Sequence, residues 1–352
     1  MNAPAPKSIL VIRTDNIGDL VCTTPLLAAL RGRWPQAWIG VLANSYSAPA
    51  VQGHPAIDAV IVYQKAKHLD AGESVLKAHW RRLCTVLALR RRGIDLVLIP
   101  AAAGQHSAQR FARLIGAKTV LVNRDSAAVH EVEKVHVLGA QLPAPALPAE
   151  IPACAVVAQP DRRQYWEARW RAAFPNAERD GALRVGLHIS ARKPSQRWPA
   201  ERFIALAQRL HRECGARFLL FWSPGGEDDP RHPGDDAKAA QILQGIGSDI
   251  VFPLPTDALP ELIAGLSLCD VVIQSDGGAM HLAAALGKPI VCFFGNSEAA
   301  RWHPWGVPYE LLQPESRDVA DISVDDAAEA FVRLVRRLPV RPDADFGDQR
   351  HR

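Results

Sequence analysis

Four short polar segments of this 352-residue sequence each follow an apolar run. The first is TDNIGD, residues 14–19, which matches neither the GxGxxG fingerprint of dinucleotide sites nor a Walker A loop. Its last residue, Asp19, falls where a helix is predicted to begin. The carboxylate could cap free N–H groups there, or it could act as a general base, and both roles stay open on local grounds.

The second segment, HISARKPSQRWP at residues 188–199, places a hydroxyl, an amide and several cations before a predicted helix. Ser190 supplies the hydroxyl, Gln196 the amide, and Lys193 and Arg197 are two of the cations. Free N–H groups at a helix start and nearby positive charge both attract phosphate. The segment therefore suits a phosphate site, although a solvated basic loop would have the same composition.

The third segment is SPGGEDD, at residues 223–229. A Gly-Gly turn lets the backbone approach a ligand closely. Glu227, directly after that turn, could accept hydrogen bonds from a ribose or a base. A flexible acidic loop is the alternative interpretation.

The fourth segment, QSDGGAMHLAAALGKP at residues 274–289, passes from a strand end through a glycine pair into a helix. Gly277 and Gly278 leave backbone N–H groups free to cradle an oxyanion. His281 lies in the first turn of the helix and is expected to face the same point. A helical histidine is more often structural, so both interpretations remain.

Short apolar runs that alternate with helical patterns must position these segments. The alternation indicates βαβ units and parallel sheets. The predicted strands are residues 8–13, 37–42, 57–62, 95–100 and 118–122, and then 183–189, 217–222, 250–252, 271–274 and 289–294.

The two series of strands are separated by a Pro-rich stretch, residues 142–160, which has the composition of a linker. We therefore predict a first domain at 1–158, a second at 159–338, and a disordered tail at 339–352. Ligands of open parallel sheets bind beyond the carboxyl ends of the strands. The four polar segments are accordingly expected to line a cleft between two αβα domains.

Composition excludes several classes of protein. With 48% hydrophobic and 22% charged residues, the chain is neither disordered throughout nor collagen-like. No apolar run approaches the ~20 residues that span a bilayer, and residues 1–7 lack the features of a secretory signal. The six cysteines form no close pair, which favours free thiols in a reducing cytoplasm over a disulfide scaffold or a zinc site.

Charge is uneven along the chain. Residues 1–150 hold 17 Lys and Arg against 10 Asp and Glu, whereas the remainder carries a small negative excess. A basic first half favours an anionic partner, although ordinary scatter gives differences of this size. No aromatic-basic RNA motif is present, so nucleic acid is not expected as a partner. Five arginines share one predicted helix, 74–92: Arg81, Arg82, Arg90, Arg91 and Arg92.

These segments together resemble glycosyltransferase family 9, the ADP-heptose:lipopolysaccharide heptosyltransferases. The resemblance lies in RTDNIGDLVCTTPLLAALR, HISARKPSQRWPAERF, the Gly-Gly-Glu after FLLFW, SDGGAMHLAAALGKPIVCFFG and FGNSEAARWHPWG, and runs from residue 9 to about 306. It implies the GT-B fold, in which two Rossmann-like αβα domains face a central cleft. The first domain would bind the acceptor and the second the nucleotide sugar.

The resemblance implies an inverting transfer of heptose from ADP-heptose to the lipopolysaccharide inner core, with no metal or other cofactor. Asp19 matches the general base of the family. The implied acceptor residues are Thr14, Asn16 and Gly18, and the implied donor residues are Ser190, Lys193, Gln196, Arg197, Glu227, Asp276, Gly277, Gly278 and His281.

One position departs from the family pattern. Members of the family usually carry Lys where this sequence has Gln196. A leaving pyrophosphate still needs positive charge, and we expect Lys193 to supply it in preference to Arg197, which could pack on Trp198 instead. The departure also keeps open another nucleotide-sugar donor, a protein acceptor, or a nucleotide-sugar-binding protein with little turnover.

The implied acceptor is anionic and held in a membrane. We therefore expect a cytoplasmic protein at the peripheral surface of the inner membrane, with the basic first half turned to that acceptor. The arginines of helix 74–92 could touch phosphorylated lipid or the bilayer, or could simply form an exposed helix face. The sequence does not distinguish which heptose is added, which hydroxyl accepts it, or the oligomeric state.

Overall fold

A computed structural model describes residues 5–63, 75–101, 105–123, 128–142, 147–177, 179–228 and 233–339. The chain forms two compact units. The first contains the described residues of Met1–Gln159 together with Gly277–Gly287 and Glu298–Gly306; the second contains Pro160–Asp276, Lys288–Ser297 and the described residues from Val307 onward. The expected tail lies outside the described residues from position 340.

Each unit is built on one parallel sheet. The strands of the first are β1 Ser8–Ile12, β2 Trp38–Asn44, β3 Ala59–Tyr63, β4 Leu96–Ile99 and β5 Thr119–Val122, in the order β3-β2-β1-β4-β5. The strands of the second are β6 Arg184–His188, β7 Arg217–Trp222, β8 Val251–Pro255, β9 Val271–Ser275, β10 Ile290–Phe293 and β11 Tyr309–Leu312, in the order β11-β10-β9-β6-β7-β8. The predicted α/β class with two parallel sheets is confirmed.

Burial on both faces explains the unbroken apolar character of β1. Successive side chains of a strand point to opposite faces. Ile9 and Val11 accordingly belong to one hydrophobic core, and Leu10 and Ile12 belong to another. Parallel sheets covered on both sides have this pattern, so the four-residue apolar run Ile9–Ile12 was a sufficient signal for the strand.

Helices connect the strands. They are α1 Ile17–Val21, α2 Thr24–Arg33, α3 Val75–Arg92, α4 His106–Leu114, α5 Glu131–Val137, α6 Pro160–Ala173, α7 Ala200–Cys214, α8 Asp236–Ile246, α9 Leu259–Leu268, α10 Gly278–Ala285, α11 Ala299–Trp302 and α12 Val324–Arg336. Among the described ranges, no helix combines the length and apolarity needed to cross a bilayer.

The end of the Pro-rich stretch belongs to the first unit. The Ala155 N–H donates to the Thr24 hydroxyl oxygen at 3.0 Å, and the Val156 N–H donates to the Ala285 carbonyl at 3.2 Å. These bonds attach the stretch to α2 and to α10. The second unit starts with α6, at Pro160.

Candidate active site

The loop after β1 lies at the point where the order of the first sheet reverses. Strands β2 and β3 lie on one side of β1, and β4 and β5 lie on the other. Open parallel sheets bind their ligands at this switch point, beyond the carboxyl ends of the strands. In the first unit this position is held by residues 13–16 and by the beginning of α1.

A buried arginine organises the charges at this point. The Nη2 atom of Arg13 lies 2.8 Å from Asp19 Oδ1 and 2.7 Å from Glu131 Oε1, and its Nε lies 3.1 Å from Asp15 Oδ2. Burial lowers the pKa of Arg13, but the three carboxylates raise it by more, so the net shift is upward. The guanidinium therefore stays charged and fixes the carboxylates around it.

Asp19 is held on both sides of its carboxylate. Oδ1 accepts from Arg13, while Oδ2 accepts from the backbone N–H and the side-chain amide of Asn16, both at 3.2 Å. The bonds to Asn16 show the capping role at the start of α1. The side chain nevertheless keeps 15% of its surface exposed, so an oriented carboxylate also faces solvent.

Glu131 is a part of this cluster that the sequence motifs did not indicate. It is buried at the first position of α5, and its Oε2 accepts from Nη2 of Arg301 at 2.8 Å and from Nε at 3.2 Å. Arg301 lies on α11, about 170 residues further along the chain. The carboxylate thus bonds Arg13 with one oxygen and Arg301 with the other.

Two predicted glycines allow α1 and α10 to approach each other. A Cβ atom on Gly18 would lie 2.6 Å from Cδ2 of His281, and one on Gly278 would lie 3.1 Å from Cβ of Ile17. The ring of His281 is buried, with Nδ1 3.8 Å from the sulfur of Cys22. Packing alone therefore accounts for both glycines and for His281, and their roles toward acceptor and donor stay predictions.

Two other predicted residues of the first unit have simpler surroundings. The carbonyl oxygen of Thr14 accepts from the side-chain amide of Asn44 at 3.1 Å, which ties the loop to the end of β2. A Cβ atom on Gly277 would meet nothing within 4 Å. The space beside Gly277 is therefore open at the start of α10.

The second sheet has its own switch point, between β6 and β9. The loops that follow these strands contain Ser190 and Asp276. The buried amide of Gln196 donates to Asp276 Oδ2 at 2.9 Å, and the Ser190 hydroxyl oxygen accepts from the N–H of Ser223 at 2.8 Å. Two residues predicted to bind the donor, Gln196 and Asp276, are thus in direct contact.

An open pocket of about 460 Å³ lies in the second unit, a volume typical of small-ligand sites. Its charged lining includes Arg197 and Glu227, both predicted, and Lys238 of α8, which no motif indicated. The remaining lining residues are Trp198, Pro199, Ala200, Glu201, Ala237 and Gln241. The pocket therefore brings two cations and two carboxylates to one concave surface.

The cations of this pocket are fixed by neighbouring groups. The Arg197 guanidinium donates to the buried carboxylate of Asp235, and Lys238 Nζ donates to the Ile189 carbonyl at 3.1 Å. Burial lowers the pKa of Lys238 to about 8. Within the described parts of the chain, no cluster of three or more His, Cys, Asp or Glu side chains could hold a metal ion.

Comparison with known proteins decides the family. The family model for glycosyltransferase family 9 (heptosyltransferase) matches residues 96–323, well over half of the chain. This chain belongs to glycosyltransferase family 9. It is therefore a glycosyltransferase, as the sequence segments predicted.

Relatives of this family-9 enzyme include lipopolysaccharide heptosyltransferases. It is 26% identical to lipopolysaccharide heptosyltransferase 3 of Escherichia coli, over 92% of this chain and 96% of that protein. It is 24% identical to lipopolysaccharide heptosyltransferase 2 of Salmonella typhimurium, over 82% of this chain and 83% of that protein.

Solved structures agree with the fold. A family-9 glycosyltransferase from Veillonella parvula superposes with a TM-score of 0.78 at 18% identity, over 94% of this chain and 98% of that one. The ADP-heptose lps heptosyltransferase II of E. coli gives 0.73 at 19% identity, over 94% and 98%. The two parallel-sheet units of this glycosyltransferase are those of the GT-B fold, which confirms that prediction.

Lys193 and Arg197 of this glycosyltransferase have different surroundings. Lys193 is exposed just before the short 3-10 turn Pro194–Gln196, and it is not among the described residues that line the pocket. Arg197 does line it, and its guanidinium is bonded to Asp235. The geometry favours Arg197 over Lys193 as the cation beside a ligand here, while both assignments stay predictions.

Proposed function

We propose that this glycosyltransferase moves a heptose from ADP-heptose to the lipopolysaccharide inner core with inversion, and that Asp19 is the general base. The observation that carries the proposal is the carboxylate of Asp19, which Arg13 and Asn16 hold in one orientation at a switch point while part of it stays exposed. A general base must be ionised, oriented and within reach of its proton.

The reaction is a direct displacement. An acceptor hydroxyl gives its proton to Asp19 as its oxygen forms a bond to the anomeric carbon of the heptose. The bond between that carbon and the diphosphate oxygen breaks on the opposite side, and ADP leaves with the electron pair. Attack from the opposite side inverts the anomeric configuration.

The donor is assigned to the second unit. Glu227 suits the hydroxyls of a ribose, while Arg197 and Lys238 offer positive charge for a diphosphate. We propose that these cations neutralise the leaving group, so that no metal is required. E. coli heptosyltransferase has been solved with ADP and with ADP-2-deoxy-2-fluoro heptose, which supports the class of donor.

The remaining predicted positions complete the proposed site. Asp276, held by Gln196, would face the donor sugar, and Ser190 would face a phosphate. The named relatives support a lipopolysaccharide acceptor. Because such an acceptor is held in a bilayer, we also propose that the enzyme works at the cytoplasmic surface of the inner membrane.

Replacing Asp19 with Asn tests the proposal. The amide keeps the shape and much of the cap but cannot take a proton, so we expect transfer to fall by ~10²–10⁴-fold. ADP affinity, measured by calorimetry, should change little. Asp15→Asn is the matched control, because it removes another carboxylate from the same arginine and should cost far less. Near-normal turnover by Asp19→Asn would reject the role of base.

Gln196 favours a second candidate, a family member that uses another nucleotide sugar. Its neutral amide bonds Asp276 where a lysine would form an ion pair. Thermal unfolding with ADP-heptose, GDP-mannose and UDP-GlcNAc compares the donors, since a bound ligand raises the melting temperature by mass action. The largest rise in melting temperature should come with ADP-heptose. A larger rise with GDP-mannose or UDP-GlcNAc would identify that nucleotide sugar as the donor instead.

A further inference from the structure

Helix α8, Asp236–Ile246, follows an aspartate whose side chain does not cap it. Aspartate is favoured before a helix because its carboxylate can accept from the first free N–H groups. The carboxylate of Asp235 makes no such bond with the described N–H groups of that turn, although its backbone carbonyl accepts from the N–H of Ala239 at 2.8 Å. The presence of a carboxylate here therefore needs another explanation.

The carboxylate of Asp235 is completely buried, with an exposed fraction of 0%. Its Oδ1 accepts from the guanidinium of Arg197, whereas Oδ2 has no hydrogen-bond partner among the residues that the structure describes. A charge taken out of water costs free energy unless an opposite charge compensates it. The negative charge of Asp235 is therefore directed at the cations beside it.

Arg197 is held by two contacts and still lines the pocket. Its Nη1 donates to the carbonyl of Ala191 at 3.3 Å and its Nη2 donates to Asp235. The side chain keeps 24% of its surface exposed and belongs to the pocket wall. A guanidinium has five N–H donors, so donors remain for a ligand. A guanidinium that is already fixed loses less freedom when it binds a phosphate.

The second cation of the pocket, Lys238, lies three residues after Asp235, on the same face of α8. Burial lowers the pKa of Lys238 to about 8, and the charge of Asp235 is the strongest influence that opposes this shift. The other charged or titratable groups that face Lys238 are Arg197, Glu227, Glu201 and His188. His188 is neutral near pH 7, because burial and the charge of Lys238 lower its pKa to about 4.

We propose that Asp235 is a positioning residue for the donor diphosphate, which holds Arg197 at the pocket and keeps Lys238 an ammonium. This inference rests on the proposed function, because it takes the pocket of the second unit as the donor site. Since Asp235 is completely buried, it acts through the two cations and not by contact with the ligand. By its field alone, a carboxylate repels a diphosphate. A positioning role therefore predicts that loss of this negative charge weakens ADP binding, which is opposite to the direct electrostatic effect.

Calorimetry of ADP binding to Asp235→Asn tests the proposal. The amide keeps the size of the side chain but removes its charge, so at pH 7 we expect ADP affinity to fall by about fivefold to tenfold. The pH at which affinity declines should also move below about 8, because the charge that opposes the effect of burial on Lys238 is gone. A purely structural role would lower the melting temperature of the protein and leave the pH of the decline unchanged.

Two matched controls separate charge from position. Glu201→Gln removes a carboxylate of the same pocket that is bonded to the Gln241 amide at 2.7 Å, and it should raise ADP affinity slightly because a repelling charge is lost. Glu167→Gln breaks another partly buried ion pair of the second unit, with Arg184. It should lower the melting temperature and leave ADP affinity unchanged.

A double variant shows whether Asp235 acts through Arg197. Arg197→Gln alone would leave a buried carboxylate unpaired, which destabilises a fold, so both charges are removed together. Once Asp235→Asn has released Arg197, the further loss of Arg197 should matter little. Asp235→Asn/Arg197→Gln should therefore bind ADP within about twofold of Asp235→Asn. Circular dichroism of each variant checks that the fold is intact.

Three results would overturn the positioning role. They are ADP affinity in Asp235→Asn equal to or above that of the unaltered protein, an unmoved pH of decline, and a further loss of about tenfold in the double variant. Failure of the donor pocket itself gives a different pattern, in which Lys238→Gln and the double variant both bind ADP like the unaltered protein. Weaker binding by those two variants with none in Asp235→Asn rejects this inference alone.

Discussion

One nitrogen of Arg13 donates hydrogen bonds to two carboxylates. Nη2 lies within hydrogen-bond distance of both Asp19 and Glu131, so these groups share its charge. Glu131 is in turn held by Arg301. Glu131 therefore affects how strongly Arg13 binds the proposed base, although Glu131 need not touch either substrate.

Glu131→Gln tests this sharing. With the negative charge removed, Arg13 and Arg301 are less neutralised and favour the ionised carboxylate of Asp19 more strongly. A more strongly stabilised carboxylate is a weaker base, so we expect kcat to fall by about tenfold with little change in donor KM. Glu133→Gln, on the same helix, is the control, and an unchanged kcat in Glu131→Gln would contradict the sharing.

Lys238 gives ADP binding a pH dependence. Burial lowers the pKa of this lysine to about 8; Asp235, Glu227 and Glu201 oppose that shift, and Arg197 adds to it. Below pH 8 the side chain of Lys238 is already protonated and can bind a diphosphate. Above pH 8 the side chain must take up a proton when ADP binds, so ADP affinity measured by calorimetry should fall as pH rises through about 8.

Lys238→Gln should weaken ADP binding by about 1–3 kcal/mol near neutral pH, the worth of a hydrogen bond to a charged group, and should remove this pH dependence. Lys193→Gln is the matched control, because that lysine is exposed outside the pocket. An identical pH profile in Lys238→Gln and the unaltered protein would show that Lys238 does not meet the diphosphate.

At the scale of secondary-structure elements, the contact between α1 and α10 depends on Gly18, which has no side chain. Gly18→Ala would normally favour a helix, but here the new methyl group meets the buried ring of His281 at 2.6 Å. We expect a loss of about 1–3 kcal/mol in the free energy of unfolding, measured with urea. In a His281→Ala background the same substitution should cost little.

Gly32→Ala is the control for this cycle. Gly32 lies in α2, and a Cβ atom there would meet nothing within 4 Å. Gly32→Ala should therefore stabilise the protein by roughly 0.5–1 kcal/mol, the usual gain of Ala over Gly in a helix. Additive effects of Gly18→Ala and His281→Ala would contradict the proposed clash.

Periodicity predicted most elements of the sheets, because buried strands and amphipathic helices have distinct patterns. It failed where covalent geometry overrides the pattern. The apolar residues of 20–34 have the spacing of one continuous helix, but α1 ends at Val21 and α2 begins at Thr24. Pro25 has no N–H to donate to the Val21 carbonyl, so a continuous helix would lose that bond. Helix α6 and strand β11 lacked a clear period and were not predicted.

For the site, a motif signalled Asp19 and Gln196, since both stand in recognisable segments after strands. Glu131 and Lys238 had no such signal. Each lies in an ordinary helical sequence, and the position of each side chain depends on a partner more than 40 positions away. The partner is Arg13 for Glu131 and Ile189 for Lys238. Contacts of that range depend on the tertiary fold and not on local spacing.

At the scale of the whole molecule, the first unit is assembled from three stretches of chain. Residues 277–287 supply α10, which packs on α1, and residues 298–306 supply Arg301, which binds Glu131. A fragment of residues 1–159 lacks both. We expect it to bind a hydrophobic dye and to unfold without a cooperative transition, measured by circular dichroism against the full chain. A sharp transition in the fragment would contradict this dependence.

The discontinuity of the first unit also sets the order of events on the ribosome. Its sheet is complete once Val122 has been made, but Arg301 and the rest of α11 come much later. The 147 residues from Gln159 to Gly306 take roughly 7–30 s to add at ordinary elongation rates. During that interval the nascent sheet exposes the helix face around Ile17 and Cys22, which α10 later covers. Helix α1, which carries the proposed base, is therefore among the first elements synthesised and among the last to be packed. A chaperone that shields its exposed face would act within this window.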